Sequence, residues 1–475
     1  MSTNKPVSAE TDFDDNSYHW QRHPRASQIV GQLVRQFSCQ SPFAERLRLA
    51  MRDHTGTRLI DWLDHIGICQ DATIDGVKAE TALVDVGFVT LRNDRDGHWL
   101  QHRGGLFPAV VIGDDDCFRL AIKVDCVDAF LKAHQMQREI TGQAGSPFRK
   151  SLVGESTAQS SSLGSAAKLF VCQRHGWTNW QTSEATDEQV LLAGELACGF
   201  QSRPRQNFDS TKQLIQGAVA KIGADWACDL FLSAEREYWQ NRNQAARIQR
   251  ERQDRLGLGW GNHDHHTYRS SRAHFAELIE CLELFGFVCR ERFYAGGQAG
   301  WGAQVLEQTN TGIVIFADVD LSPEELTVDF SHDGLQPNPK LGTVGLWCQL
   351  HGEAFLKAGM HHLECQFDFD VARRQLAELG IETMEPFTDF PHLRQAFTRG
   401  EIWPVASPRI QLALQEGWIT RQQAESFERD GAVGSHLEIL ERNDGFKGFN
   451  QTGVSEIIRK TDPRHSQSRH QGHDS

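Results

Sequence analysis

The chain has 475 residues, with 49 Lys and Arg against 63 Asp and Glu, a formal charge of −14. That length holds two or three domains and a sizeable core, and the acidic balance excludes a general nucleic-acid binder, which needs excess cationic charge to displace counterions. Hydrophobic residues make up 39% and charged residues 24%, a globular balance, and no run approaches the roughly 20 apolar residues that span a bilayer, so no membrane partner is expected.

Residues 1–25 read as a polar, disordered tail without the apolar centre of a secretory signal. The 11 Cys lack CxxC or zinc-ribbon spacing and read as reduced thiols in a cytoplasmic setting. Residues 26–200 read as an N-terminal α+β domain. QIVGQLVRQF and FAERLRLAMRDH have helical spacing, and LDHIGI (63–68) falls in the same helical context. ALVDVGFVTL, LFPAVVI, CFRLAIKVD and KLFVCQRHGW read as strands, with Val127, Phe130 and Leu131 at helical spacing between the last two. Asp114, Asp115 and Asp116 read as a hairpin turn. SPFRKSLVGESTAQSSSLGSAAK, rich in Ser and Gly, reads as a mobile loop.

Residues 208–256 read as a helical connector whose charged end, NRNQAARIQRERQDR, is expected to be a solvated helix face. GLGWGN (257–262) follows a helix rather than a strand, and its third Gly is misplaced for a dinucleotide fingerprint. From 257 to 460 a strand–helix–Gly theme recurs. HHTYRS leads into RAHFAELIECLELFGF, and HHLECQFDF into DVARRQLAELGI; Phe287 and Ile381 follow the respective Gly. WGAQVLEQ, GIVIFADVD and HLEILER add strands, and FRLAIKVDCVDAFLKAH reads as a further copy. AGGQAGWGAQVLEQ reads as a Gly-rich turn that aims Gln304 at a substrate. Residues 461–475 read as a second tail. Nothing in the sequence specifies an oligomeric state.

Three short strands carry the metal chemistry: one with His265 and His266, one with His361 and His362, and one with Glu438. Alternation groups His265 with Thr267 and Arg269, His362 with Glu364, and Glu438 with His436. It leaves open which face looks inward, so His266 and His361 stand as alternatives. Two imidazoles and one carboxylate on one side of a metal leave three positions open, the arrangement of non-haem Fe(II) oxygenases. A Glu in an apolar strand needs a partner, and Arg442 is the salt-bridge alternative. His351 and Glu353 read as supports of the second strand.

DHHTYRSSRAHFAELIECLELFGF and GMHHLECQFDFDVARRQLAELGI resemble the opening strand and helix of vicinal oxygen chelate modules, βαβββ units paired into an open barrel around a metal. HLEILERNDGFKGFNQTG is similar to the C-terminal motif of the 4-hydroxyphenylpyruvate dioxygenases, and HHTYR to the His-x-x-x-Arg motif of bacterial 2-oxoadipate dioxygenase/decarboxylases. The resemblance implies an α+β fold and Fe(II) held by His265, His362 and Glu438, in a superfamily that also uses Zn, Ni, Mn or Mg. It further implies a small 2-oxo acid and O₂ as reactants. Arg269 would grip the substrate carboxylate, with Gln304, Arg442 and Asn450 in the pocket wall. LDHIGI imitates an opening strand, whereas FRLAIKVDCVDAFLKAH has no His on its strand and is expected to have lost its metal. The alternatives are a metal-dependent isomerase or lyase, or a non-catalytic small-ligand binder, on the same scaffold.

Overall fold

The computed structural model describes residues 20–157, 162–174, 185–296, 299–450 and 462–464. Most of both expected tails therefore lies outside the described residues. Helices α1 (Pro24–Gln40) and α2 (Pro42–Thr55) each start on Pro, whose fixed φ and absent N–H suit a first turn. Their buried stripes, Val30, Leu33 and Phe37 on α1 and Leu47 and Met51 on α2, join the core under the first sheet.

That sheet comes from β1 (Leu63–Cys69), β4 (Phe88–Asp94), β5 (Gly97–His102), β6 (Ala109–Gly113), β7 (Cys117–Lys123), β8 (Ile140–Thr141), β9 (Phe148–Thr157) and β10 (Ala166–Arg174). The short pair β2 (Thr73–Ile74) and β3 (Val77–Lys78) and helix α3 (Ala79–Val84) follow β1, and α4 (Val127–Ala133) follows β7. The strand order β4-β5-β6-β1-β7-β10-β9-β8 is two βαβββ modules joined through the antiparallel β1–β7 pair.

Four expectations change here. LDHIGI is not helical but is strand β1, central in the sheet, its Ile66 and Ile68 fully buried. ALVDVGFVTL divides between α3 and β4. The Ser/Gly-rich segment is largely the β9–β10 antiparallel pair, one of the longest in the molecule; its residues 158–161 lie outside the described set. The acidic triplet joins β6 to β7, which flank β1 rather than pairing with each other, so it is a crossover and not a hairpin.

Helices α5 (Asp187–Ser202), α6 (Phe208–Ile222), α7 (Ala224–Gln240) and α8 (Gln244–Asp254) follow. The charged face of α8 is solvated in part: Arg247, Glu251, Asp254 and Arg255 are exposed, but its other side is not. Gln249 and Arg252 are buried and donate to the backbone carbonyls of Thr55 and His54 at the end of α2. The GLGWGN turn then docks on the first half. A Cβ at Gly257 (φ +68°) would meet Phe130 Cα at 2.3 Å, so only Gly fits the approach, and Trp260 N donates to Asp125.

The second sheet repeats the plan. β11 (His263–Arg269), α9 (Phe275–Leu284), β12 (Val288–Tyr294), β13 (Trp301–Gln308) and β14 (Ile313–Asp320) form one module. After α10 (Thr343–His351), the other comprises β15 (His362–Gln366), α11 (Phe369–Glu378), β16 (Thr388–Phe390), β17 (Leu393–Phe397), β18 (Glu401–Trp403), α12 (Ser407–Gln415), α13 (Arg421–Asp430) and β19 (Ala432–Arg442). The order β12-β13-β14-β11-β15-β19-β17-β16, with β18 on β19, leaves an open nine-stranded sheet. One face packs Tyr268, Leu363 and Leu437 against α9, α11 and the connector helices. The other face turns inward around Phe316, Trp301 and Phe397.

Candidate metal centre

Strand alternation decides between the adjacent histidines. On β11, His266 and Tyr268 point into the helical layer, where His266 Nε2 lies 3.1 Å from Arg236 Nη1. His265, Thr267 and Arg269 face an inner cavity. On β15, His362 and Glu364 face the same space. His265 pairs with Glu364 across the antiparallel β11–β15 ladder, and Glu364 with Glu438 across the parallel β15–β19 ladder. Three neighbouring strands thereby bring distant residues to one point.

His265, His362 and Glu438 are all buried and offer nitrogen and oxygen atoms within 4.8 Å of one another. His362 Nε2 is 3.0 Å from Glu438 Oε2. Gln395 on β17 donates to Glu438 Oε1 at 3.0 Å, which turns the other carboxylate oxygen toward the imidazoles. His265 Nδ1 lies 3.2 Å from Asp264 Oδ1, and Asp264 is itself gripped by Arg442. That chain fixes the His265 ring and leaves Nε2 for a ligand role, the carboxylate–histidine support usual behind metal-bound imidazoles. His361 also reaches the cavity, but its Nδ1 faces His362 Nδ1 at 2.9 Å, so it braces its neighbour.

The electrostatics fit a cation. Burial lowers the His265 pKa against the pull of Asp264, and burial with the Arg269 charge brings His362 to about 3, so both imidazoles are neutral and able to donate an electron pair. Burial raises Glu438 to about 7, although His265 and Gln395 pull it down. Glu364 is pushed well above the usual carboxylate range by burial and by Glu438. Burial pushes the Asp264 carboxyl up, but the charges and hydrogen bonds of Arg442 and His265 together hold it below the normal range. A pocket of neutral imidazoles and crowded, desolvated carboxyls suits a divalent cation, which supplies the missing positive charge.

The cavity wall is aromatic. Phe293, Trp301, Phe316, Phe387, Phe397 and Phe449 line it, with Thr267, Arg269, Asp318, Gln395 and Asn450 as its polar points. Arg269 is 2% exposed, and its Nε and Nη1 have no hydrogen-bond partner among the described residues. Its closest acid, Asp318 on β14, stands 3.8 Å away. Burial lifts Asp318 to about 8, with Arg269 opposing and Glu438 adding to the rise. Asn450 reaches the wall and donates to Thr388.

Two expected pocket residues are elsewhere. Gln304 lies on the outer side of β13, because Trp301, Ala303 and Val305 take the inner one; its amide donates to Glu291 O and accepts from Ser331. The Arg442 guanidinium is consumed by Asp264 and the carbonyls of Phe446 and Gly448, so it supports the His265 ring rather than contacting a substrate. His351 Nε2 donates to the Val433 carbonyl, and Glu353 accepts from Ser271 N; both are architectural. Sequence reasoning missed Asp318 and Gln395, which no motif marks. It also assigned no role to Glu364, although an acid two residues beyond a candidate ligand on an apolar strand is a readable signal.

The first sheet contains the same frame. His65 pairs with Ala121, and Ala121 with Phe170, in the registers of His265, Glu364 and Glu438; Gly67 pairs with Arg119 as Thr267 does with His362. His65 Nδ1 meets Asp64 at 2.8 Å, and Arg174 meets Asp64 at 2.6 Å, as Arg442 meets Asp264. The frame is kept, but Arg119 and Phe170 stand where His362 and Glu438 would be. Trp99, Phe148 and Phe170 fill the space.

No family model matches the chain, and no curated protein does. Among solved structures it is similar to methylmalonyl-CoA epimerase from Mycobacterium tuberculosis (13% identity, 38% of this chain and 88% of that one, TM-score 0.23). It is also similar to a variant of 4-hydroxymandelate synthase from Streptomyces coelicolor (12%, 85% and 98%, TM-score 0.28), and to a xylose isomerase-like TIM barrel/4-hydroxyphenylpyruvate dioxygenase fusion protein (11%, 89% and 57%, TM-score 0.23). The chain's own strand order gives two sheets, each built from paired βαβββ modules, the arrangement expected from the sequence resemblance.

Proposed function

We propose that the chain is a non-haem Fe(II) dioxygenase acting on a 2-oxo acid or a related small oxyanionic substrate. The observation that carries this reading is the convergence of two neutral imidazoles, His265 and His362, and one carboxylate, Glu438, at the floor of an aromatic-walled cavity. Bound there, Fe(II) would supply a Lewis-acidic, redox-active centre for a chelating substrate and O₂. Asp264 holds the His265 ring, and Gln395 orients the Glu438 carboxylate. Arg269, with unpaired N–H groups beside the cavity, receives a substrate carboxylate. The aromatic walls exclude bulk water and pack the substrate body.

The test is metal analysis of purified protein together with O₂ uptake on a panel of 2-oxo acids. Stoichiometric iron that disappears in His265→Ala and Glu438→Ala, with O₂ uptake lost in parallel, is expected. Unchanged metal content in both variants would sink the proposed centre. A second reading, a metal-dependent isomerase or lyase, is favoured by one observation, the additional carboxyl of Glu364 beside His265; substrate turnover without O₂ uptake would establish it.

A further inference from the structure

We infer that Glu364 is a fourth protein ligand of the cation held by His265, His362 and Glu438. The inference rests on that reading of the site. Glu364 is fully buried, and its Oε2 lies 2.6 Å from His265 Nε2. Its other close polar neighbour is the Glu438 carboxyl, its register partner on β19. No other donor among the described residues satisfies either of its oxygens. Every group that touches it is thus itself a proposed ligand.

Binding a cation makes the position of Glu364 sharper. His265 can give the Nε2 electron pair to a metal only when that nitrogen carries no proton, and the contact at 2.6 Å then has no hydrogen to share. Glu364, with no other donor among the described residues, then gains a partner for its oxygens only by turning to the same cation. Asp264 cannot take this role, because its oxygens are engaged by Arg442 and Gln366.

The first sheet gives an independent control within the same chain. Where Arg119 and Phe170 replace His362 and Glu438, Ala121 replaces Glu364. The Asp64–Arg174 pair persists there. The acid at this register position therefore goes with the ligand set, whereas the Asp–Arg pair goes with the sheet.

Two carboxylates would neutralise a divalent charge, and a fourth protein donor would leave fewer positions open to a chelating substrate and O₂. Glu364 would thereby bear on whether the centre works with O₂ or as a Lewis acid alone.

The experiment uses the full chain stripped with chelator and titrated with Co(II), following the dissociation constant, the visible Co(II) absorption and the melting temperature of Glu364→Gln, Glu438→Gln, His265→Ala and wild type. Glu364→Gln is expected to keep one site per chain but to bind roughly 100-fold more weakly, at the upper end of losses around metal sites. Its Co(II) spectrum should differ from that of wild type, and its metal-free melting temperature should equal or exceed the wild-type value, since the amide keeps the shape of a carboxyl that no other donor among the described residues bonds. Wild-type affinity with an unchanged spectrum, or a lower metal-free melting temperature, would overturn the inference. The underlying site reading fails separately, if wild type takes up no stoichiometric Co(II) or if His265→Ala and Glu438→Gln bind like wild type.

Discussion

Asp264 and Arg442 meet in a two-point ion pair, Nε to Oδ2 at 3.0 Å and Nη2 to Oδ1 at 3.1 Å, with both side chains buried. The pair ties the bulged start of β11 to the end of β19 and stands directly behind His265. Replacing Arg442 by Met strands Asp264 as a bare buried charge. A loss of about 3–5 kcal/mol is expected by urea denaturation. The Asp264→Asn/Arg442→Met double variant should recover most of it, and a single variant as stable as wild type would refute the role.

Gln395 acts through Glu438. Its amide is the group that turns Glu438 toward the histidines. Gln395→Leu should weaken metal binding by about 10–100-fold with little change in fold, measured by competition against a chelator of known affinity. Unaltered binding would mean that Glu438 is oriented by other contacts.

Asp318 gives a pH signature. Its carboxyl titrates near 8 in the folded chain against an ordinary 3.8, chiefly because it is buried, with Arg269 opposing the rise. Between those values the folded state holds a proton that the unfolded state has released, so stability falls as pH rises through this window. Asp318→Asn removes the dependence. The melting temperature of the variant minus that of wild type should grow from pH 4 to pH 8 and level off above. A difference that shrinks with rising pH would reverse the assignment.

Arg269 is poised for an anion. Arg269→Gln should raise the dissociation constant of a metal-loaded complex with a 2-oxo acid by at least about tenfold, the scale of a lost charge-assisted hydrogen bond. Arg269→Lys should not restore it, because an ammonium cannot reproduce the planar, two-point grip. Calorimetry on the three proteins checks both statements.

The legible part of this site is the part written in short-range patterns. His265, His362 and Glu438 sit on strands whose alternation and apolar neighbours are visible in sequence, and the structure brings them within reach of one another. His65 was hidden because LDHIGI follows directly on the 3₁₀ turn Leu59–Trp62 and two amphipathic helices, so local context masked a central strand. The α8 segment looked solvent-facing because Gln and Arg dominate it, yet Gln249 and Arg252 are buried by bonding to the carbonyl end of α2, a tertiary demand with no periodic signature. Gln304 failed for a simpler reason: the Gly-rich turn before β13 hides which residue begins the inward series, and Trp301 takes it.

The first sheet shows that scaffold and chemistry are separable in this architecture. Asp64, His65 and Arg174 stand in place, yet an aromatic plug of Trp99, Phe148 and Phe170 occupies the room a ligand set would need. One half of the molecule is filled at this point, while the other keeps a hollow interior. Installing a second centre there would require hollowing out before any ligand is added: His at 119 and Glu at 170 alone would be trapped among rings, and only a thinned Trp99 or Phe148 would open the space to accept an ion.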